Sequence, residues 1–309
     1  MKPLSKEKVL IGPSTFCAVD KEPLERLRKT GCVILDNPFK RKLTKDELVT
    51  LLSNGITGII AGLEPLDREV LGKSALKVIS RCGAGLSNID LEAARELKIK
   101  ICATPDAPTT AVAELTVGAL LSMLRMLPQM DRDLHEGRWS KKIGAQLEGK
   151  TVLIIGLGRI GKRVADLLAS FNVRIIAADP VRNKAEKGIE ILPLDRALRE
   201  ADIITIHASG NDRIIGKDEF KIIKKGAYLL NASRGNVIDE VSLIRALEEG
   251  GISGAWLDTF DTEPYNGPLT KYPQVILTPH AGSYTAECRK VMEMQAVDNL
   301  IAAFCKIGK

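Results

Sequence analysis

The chain has 309 residues, 45% of them apolar, enough for two ordinary domains that each bury a core. Its formal charge of +6 comes from 45 Lys and Arg interleaved with 39 Asp and Glu and forms no basic block, which argues against nucleic acid and for a mild attraction toward small anions. Six scattered cysteines without a C-x-x-C pair, a charged "MKPLSKEKVLIG" start and no apolar helix longer than Leu115 to Leu124 predict a cytoplasmic protein with no membrane partner.

From Lys8 to Cys102, the short apolar runs "KVLIG", "CVILD", "GITGIIAG", "LKVISRCG" and "IKICAT" alternate with helical patterns such as "EPLERLRKT" and "KDELVTLLS". That rhythm predicts a parallel sheet covered by helices. Next, "PTTAVAELTVGALLSMLRMLPQMDRDLHEGRW" spaces small and apolar residues as a long helix does until Pro128 interrupts it. A second α/β run opens at Lys150, with strands predicted in "TVLIIG", "VRIIAAD", "DIITIHA", "GAYLLNAS", "GISGAWLD" and "QVILTPH". The closing "TAECRKVMEMQAVDNLIAAFCK" reads as one amphipathic helix. No flexible linker separates the two runs, so we expect packed domains with a ligand cleft between them.

In "IIGLGRIG", Gly156 allows a tight turn after a strand, Gly158 lets backbone approach a pyrophosphate, and Gly161 lets the helix opened by Arg159 pack on the strand. The motif alone also fits a glycine turn with no nucleotide. Asp179, however, ends the next strand 18 residues after Gly161, where a carboxylate accepts from a ribose 2′-hydroxyl and repels a 2′-phosphate. NAD is therefore expected over NADP, with Arg182 as the one residue that argues the other way. Of three histidines, His135 sits among charges and reads as solvated, and His207 ends a strand where packing and a place beside the cofactor fit equally. His280 in "VILTPHAGS" lies just past a strand, where open sheets hold ligands, and is the candidate proton carrier. Arg234, after "LLNAS", is placed to clamp a carboxylate. Asp258, Asp261 and Glu263 in "GAWLDTFDTEPYNGPL" offer three acids, and the residues alone do not choose among them.

Taken in order, "RCGAGLSNIDLEAA", "TTAVAELTVGALL", "GKTVLIIGLGRIG", "NASRGNVIDE", "LDTFDTEP" and "TPHAG" resemble the D-2-hydroxyacid dehydrogenase family, especially its phosphoglycerate dehydrogenase branch. The resemblance implies an α/β fold of two Rossmann-like or flavodoxin-like domains with parallel sheets. A nucleotide domain, 104–283, would be inserted into a substrate domain, 1–103 and 284–309. It selects Glu263 as the acid, giving a catalytic set of Arg234, Glu263 and His280. Cofactor contacts are implied at Gly156, Gly158, Arg159, Ile160, Gly161, Asp179, His207, Ala208, Ala232, Ser233, Arg234, Asp258, His280 and Gly282. Substrate contacts are implied at Ala84, Gly85, Leu86 and Arg234, with Arg81 either binding a distal phosphate or standing solvated at a strand end.

In two places the chain departs from that family's pattern. "HASGNDRIIG" replaces a proline-leucine-threonine run after His207, and Ser87 stands where an aspartate usually precedes "NID". The implied reaction is hydride transfer between NAD(H) and a small anionic 2-hydroxy or 2-oxo acid. In it Arg234 polarises the carbonyl, His280 supplies the proton and Glu263 sets the histidine tautomer, with no metal required. Glyoxylate or hydroxypyruvate reductase is the alternative within the family, and an NAD-sensing corepressor-like protein the alternative outside catalysis. A homodimer built on the nucleotide domain and the Thr109 to Trp139 segment is also implied.

Overall fold

A computed structural model describes residues 4–182, 184–186, 188–210 and 212–307. The chain divides into two compact units, Met1–Pro108 with Tyr284–Lys309, and Thr109–Ser283. The first crossing falls at Pro108 and not at the expected 103. The cause is local: Thr104 N–H bonds the Gly83 carbonyl at 3.0 Å and its hydroxyl accepts from Gly83 N–H at 2.8 Å, tying residue 104 to the first sheet.

The first unit holds strands β1 (Lys8–Ile11), β2 (Val33–Asp36), β3 (Gly58–Ala61), β4 (Val78–Arg81) and β5 (Lys100–Ala103) in the order β2-β1-β3-β4-β5. All pairings are parallel. Alternation along each strand divides the core into two layers. Leu10, Ile59 and Ile79 face Leu48 and Leu52 of helix α2 (Lys45–Leu52), Val70 and Leu71 of α3 (Arg68–Gly72), and Ala93 and Ala94 of α4 (Leu91–Glu96). Val9, Ile11, Ile60 and Val78 face Leu27 of α1 (Glu22–Arg28) and the C-terminal helix Ala286–Ile307. Thr44, Asp67 and Asp90 each accept from the helix N–H three residues on, the capping that starts α2, α3 and α4 where they start.

The second unit opens with α5 (Thr109–Leu124) and α6 (Leu127–His135). Their break is at Met126, whose φ of 51° is left-handed, and Pro128 sits in the first turn of α6, where its missing N–H costs nothing. Among the described residues no single helix is long and apolar enough to cross a membrane, although this bent pair passes on composition. Strands β6 (Thr151–Ile155), β7 (Arg174–Ala178), β8 (Glu190–Ile191), β9 (Ile203–Ile206), β10 (Ala227–Asn231), β11 (Ile252–Leu257) and β12 (Val275–Leu277) form one parallel sheet. Its order is β12-β11-β10-β9-β6-β7-β8. Helix α7 (Arg159–Leu168) packs with α5 on one face, and α8 (Leu194–Glu200) and α10 (Glu240–Glu248) pack on the other, with α9 (Lys217–Ile222) beside them. Strand order reverses between β6 and β9, the position at which doubly wound sheets open a crevice at their carboxyl ends.

Candidate active site

The turn after β6 requires two of its glycines, Gly156 and Gly161, for separate reasons. Gly156 has φ +90°, and a Cβ there would lie 2.7 Å from Ala208 backbone, so residue 156 also fixes how closely the end of β9 approaches. A Cβ on Gly161 would overlap the Gly156 carbonyl oxygen, whereas one on Gly158 would meet nothing within 4 Å. Gly158 is the N-cap of α7, with no side chain capping the helix, and Arg159 and Ile160 begin the helix beside it. Asp179 braces this turn: its Oδ2 accepts Leu157 N–H at 2.8 Å and its Oδ1 accepts Val181 N–H at 2.9 Å. Each oxygen retains a lone pair for a further donor. Arg182 lies 4.0 Å from Asp179 but is engaged by Glu186 at 2.9 Å, and Glu186 also pairs with Lys162.

His207 follows β9 with Nε2 2.8 Å from the Thr205 hydroxyl, while its Nδ1 is buried without a hydrogen-bond partner. Burial pushes its pKa down to about 3, so the ring is neutral across the physiological range. In the "HASGNDRIIG" segment that follows, Ala208 is half-buried and Asn211 lies outside the described residues. His135 is exposed, 3.6 Å from Asp131.

The second half of the sheet brings three candidates together. Asn231, buried at the end of β10, shapes the turn that carries Arg234: its Oδ1 accepts from Ser233 N–H (3.0 Å) and hydroxyl (2.8 Å), and its Nδ2 donates to the Arg234 carbonyl (2.7 Å). Half-buried Ala232 and buried Ser233 complete that turn. The Arg234 guanidinium donates to the Ser233 carbonyl at 2.7 Å. Burial lowers its pKa from the ordinary arginine value, and the nearby Glu263 carboxylate acts in the opposite sense. Gly235 is needed because a Cβ there would overlap Phe260 backbone, which presses the Arg234 turn against the segment bearing Glu263.

Glu263 Oε1 accepts Phe260 N–H at 3.1 Å, and its two oxygens lie 3.2 and 3.0 Å from Nδ1 of His280. His280 has φ +52°, a left-handed backbone unusual for a residue with a Cβ. Asp258 holds it there. Asp258 is 2% exposed, and its carboxylate accepts from the Thr278 hydroxyl (2.6 Å), Ala281 N–H (2.8 Å) and Gly282 N–H (2.8 Å), clasping both sides of the histidine. Trp256 donates to the same Thr278 hydroxyl at 3.0 Å. Of the three acids left open by the sequence, Glu263 meets the histidine, Asp258 clasps its loop, and Asp261 is exposed. The roles of Asn231 and Asp258 as turn-setting groups had no sequence signal, since their partners are fixed only by folding.

In the first unit Ala84 and Ser87 are exposed and Gly85 and Leu86 half-buried, in the loop after β4. Arg81 corrects the sequence reading of a solvated strand end. It is 7% exposed, its guanidinium bonds the Cys82 carbonyl, and a Cβ on Gly83 would come within 2.6 Å of its Nη1. Glu64, after the neighbouring strand β3, is buried as well, at 1% exposure.

The family described as D-isomer specific 2-hydroxyacid dehydrogenase, NAD binding domain, matches residues 117–282. The chain is 40% identical over 259 residues to a D-3-phosphoglycerate dehydrogenase of Methanocaldococcus jannaschii, covering 80% of this chain and 49% of that one. It is 37% identical over 287 residues to a glyoxylate reductase of Aeropyrum pernix, covering 86% of this chain and 83% of that one. A crystal structure of a Thermus thermophilus protein, 32% identical, superposes with a TM-score of 0.87 over 96% of both chains. The chain thus spans about half the length of the phosphoglycerate dehydrogenase it matches and most of the glyoxylate reductase.

Proposed function

Because the chain belongs to the D-isomer specific 2-hydroxyacid dehydrogenase family, we propose that it interconverts a small 2-hydroxy acid and its 2-oxo acid with NAD(H). The observation that carries this reading is the Glu263–His280 pair, 3.0 Å apart, with Arg234 on the adjoining strand end. Asp258 and Asn231 set the two turns that present these side chains.

The glycine turn fits a dinucleotide. Gly158 leaves open space beside an uncapped helix start, a place for a pyrophosphate, and Asp179 has acceptor capacity for a ribose hydroxyl. The Glu186 partner of Arg182 weakens the case for a 2′-phosphate. Bound there, NAD supplies or accepts a hydride at C2 of the acid. Arg234, cationic and half-buried, draws electron density toward the C2 oxygen and pairs with the carboxylate. His280 delivers a proton to that oxygen during reduction and removes it during oxidation. Glu263 keeps the proton of Nδ1 in place, leaving Nε2 for the exchange. The Ala84–Leu86 backbone serves the substrate carboxylate. Arg81 and Glu64, buried together, serve the tail of the substrate in a way developed below.

The second unit also bears apolar side chains that water covers poorly: Leu127 (49% exposed), Leu134 (58%), Trp139 (82%) and Ile143 (98%), on α6 and the extended segment after it. They support a homodimer through this segment. All six cysteines are free thiols, in keeping with a cytoplasmic setting. The test is loss of NADH absorbance with glyoxylate, hydroxypyruvate and 3-phosphohydroxypyruvate in turn. Turnover of at least one, abolished in His280→Ala and Arg234→Ala with NAD binding retained, is the expected result. Tight NAD binding without turnover of any 2-oxo acid would instead make the chain a nucleotide-responsive binding protein.

A further inference from the structure

The carboxyl edge of the first sheet holds a buried polar cluster with contributions from four strand ends: Gly12 after β1, Asn37 after β2, Gly62 and Glu64 after β3, and Arg81 closing β4. The order β2-β1-β3 places Gly12 and Gly62 on either side of the point where strand order reverses, the position at which open α/β sheets take ligands. Glu64 fills it. The residue is 1% exposed, and its carboxyl accepts from Gly62 N–H. A Cβ on Gly12 would come within 2.7 Å of Oε1 and one on Gly62 within 3.0 Å, so two neighbouring strand ends lack side chains where the carboxyl is seated. Asn37 fixes the Gly12 carbonyl at 2.7 Å, and Asn88 holds the Gly62 and Glu64 carbonyls at 3.2 and 2.7 Å. Burial raises the pKa of the Glu64 carboxyl above the ordinary carboxylate value, and the backbone N–H groups that bond it act in the opposite sense. Backbone N–H groups at strand ends are donors that can seat a phosphate or a second carboxylate. Here they are spent on a carboxyl from the chain itself.

We propose that Glu64 determines substrate specificity: its carboxyl, seated at the β1/β3 reversal between Gly12 and Gly62, takes the place of a distal anionic group and restricts the substrate to 2-hydroxy and 2-oxo acids with an uncharged tail. This rests on the dehydrogenase reading and on the first unit receiving the substrate. A phosphorylated acid would have to displace a buried carboxyl from the strand-end N–H it occupies.

Glu64→Ala empties the seat, and Glu64→Gln keeps its volume without the charge. kcat/KM for hydroxypyruvate and for 3-phosphohydroxypyruvate is measured with NADH on the wild type and each variant, alongside thermal unfolding with and without inorganic phosphate. Wild type is expected to favour the unphosphorylated acid by about 100-fold, corresponding to about 2.7 kcal/mol of discrimination. Both variants narrow that ratio, Glu64→Ala by roughly tenfold or more, and phosphate raises the Tm of Glu64→Ala while leaving wild type unmoved. A wild type that prefers the phosphorylated acid, or a ratio unchanged in the variants, overturns the proposal. If Glu64→Ala does not fold, Glu64→Gln decides by the same ratio. If no acid is turned over, the dehydrogenase reading fails by itself. The phosphate arm then still judges Glu64, since phosphate that stabilises wild type as much as the variants shows that the seat was never filled.

Discussion

A histidine carries protons in a defined direction only where its ring nitrogens are held, and the two histidines at strand ends of the second unit differ in their partners. His207 has a hydroxyl on one nitrogen and no partner on the other, and its pKa of about 3 keeps it neutral. The unfolded ring protonates near 6.5, so stability associated with the neutral folded ring is full above that pH and is lost as pH falls toward 3. His207→Asn should remove about 1–2 kcal/mol of the stability difference between pH 7 and pH 5, read by urea denaturation at the two pH values. An equal acid sensitivity in wild type and variant would show that the ring does not resist protonation. His280 instead has a carboxylate at 3.0 Å. Glu263→Gln withdraws the carboxylate that orients the ring, so kcat for reduction should fall more than KM rises. An unchanged kcat would reduce Glu263 to a packing role. The place of His280 past a strand was readable in the sequence, but the choice of Glu263 over Asp258 and Asp261 needed the family resemblance. Three acids within six positions look alike until the chain folds.

At the scale of elements, the site is built by turns whose anchors lie far off in sequence. Asp258 accepts from Thr278, Ala281 and Gly282, twenty or more positions later, and no spacing rule announces that. Asp258→Ala strands three donors around a buried void and should cost about 3 kcal/mol in chemical denaturation. It should also lower kcat, because the turn that presents His280 loses its clasp. Gly235→Ala tests the other joint. Its methyl group would drive the Arg234 turn away from Phe260, so kcat should drop far more than an exposed Gly→Ala would allow, and a fully active variant would mean the two turns are not held in register. Strands were readable because their apolar runs are continuous and bounded, as sheets buried on both faces demand. The exception is β8, two residues in a stretch rich in lysine and glutamate, too short to show any period. Pro128 marked the helix break correctly to within a turn, since proline is tolerated in the first turn of the helix that follows a break.

Across the whole molecule, two parallel sheets of different order were foreseen as a class but not in their orders, which depend on long-range pairing. The exposed Trp139 and Ile143 are the cleanest handle on assembly. A Trp139→Ser, Ile143→Asp double variant should shift the mass measured by light scattering from twice the chain to once, and an unaltered dimer, or a monomeric wild type, would place the contact elsewhere or nowhere. The C-terminal helix carries a different consequence. Its Val297, Leu300 and Phe304 cover the face formed by Val9, Ile60 and Val78, and the Phe304 ring lies where a side chain at Gly58 would stand. Residues 109–283 are contiguous, whereas the first unit borrows its last layer from Tyr284 onward. On the ribosome, the second unit therefore has everything it needs while the first still presents a bare apolar sheet face. Of the two units, the one whose strands are translated earlier is finished later, and until the helix Ala286–Ile307 emerges that face is a surface for chaperones to shield.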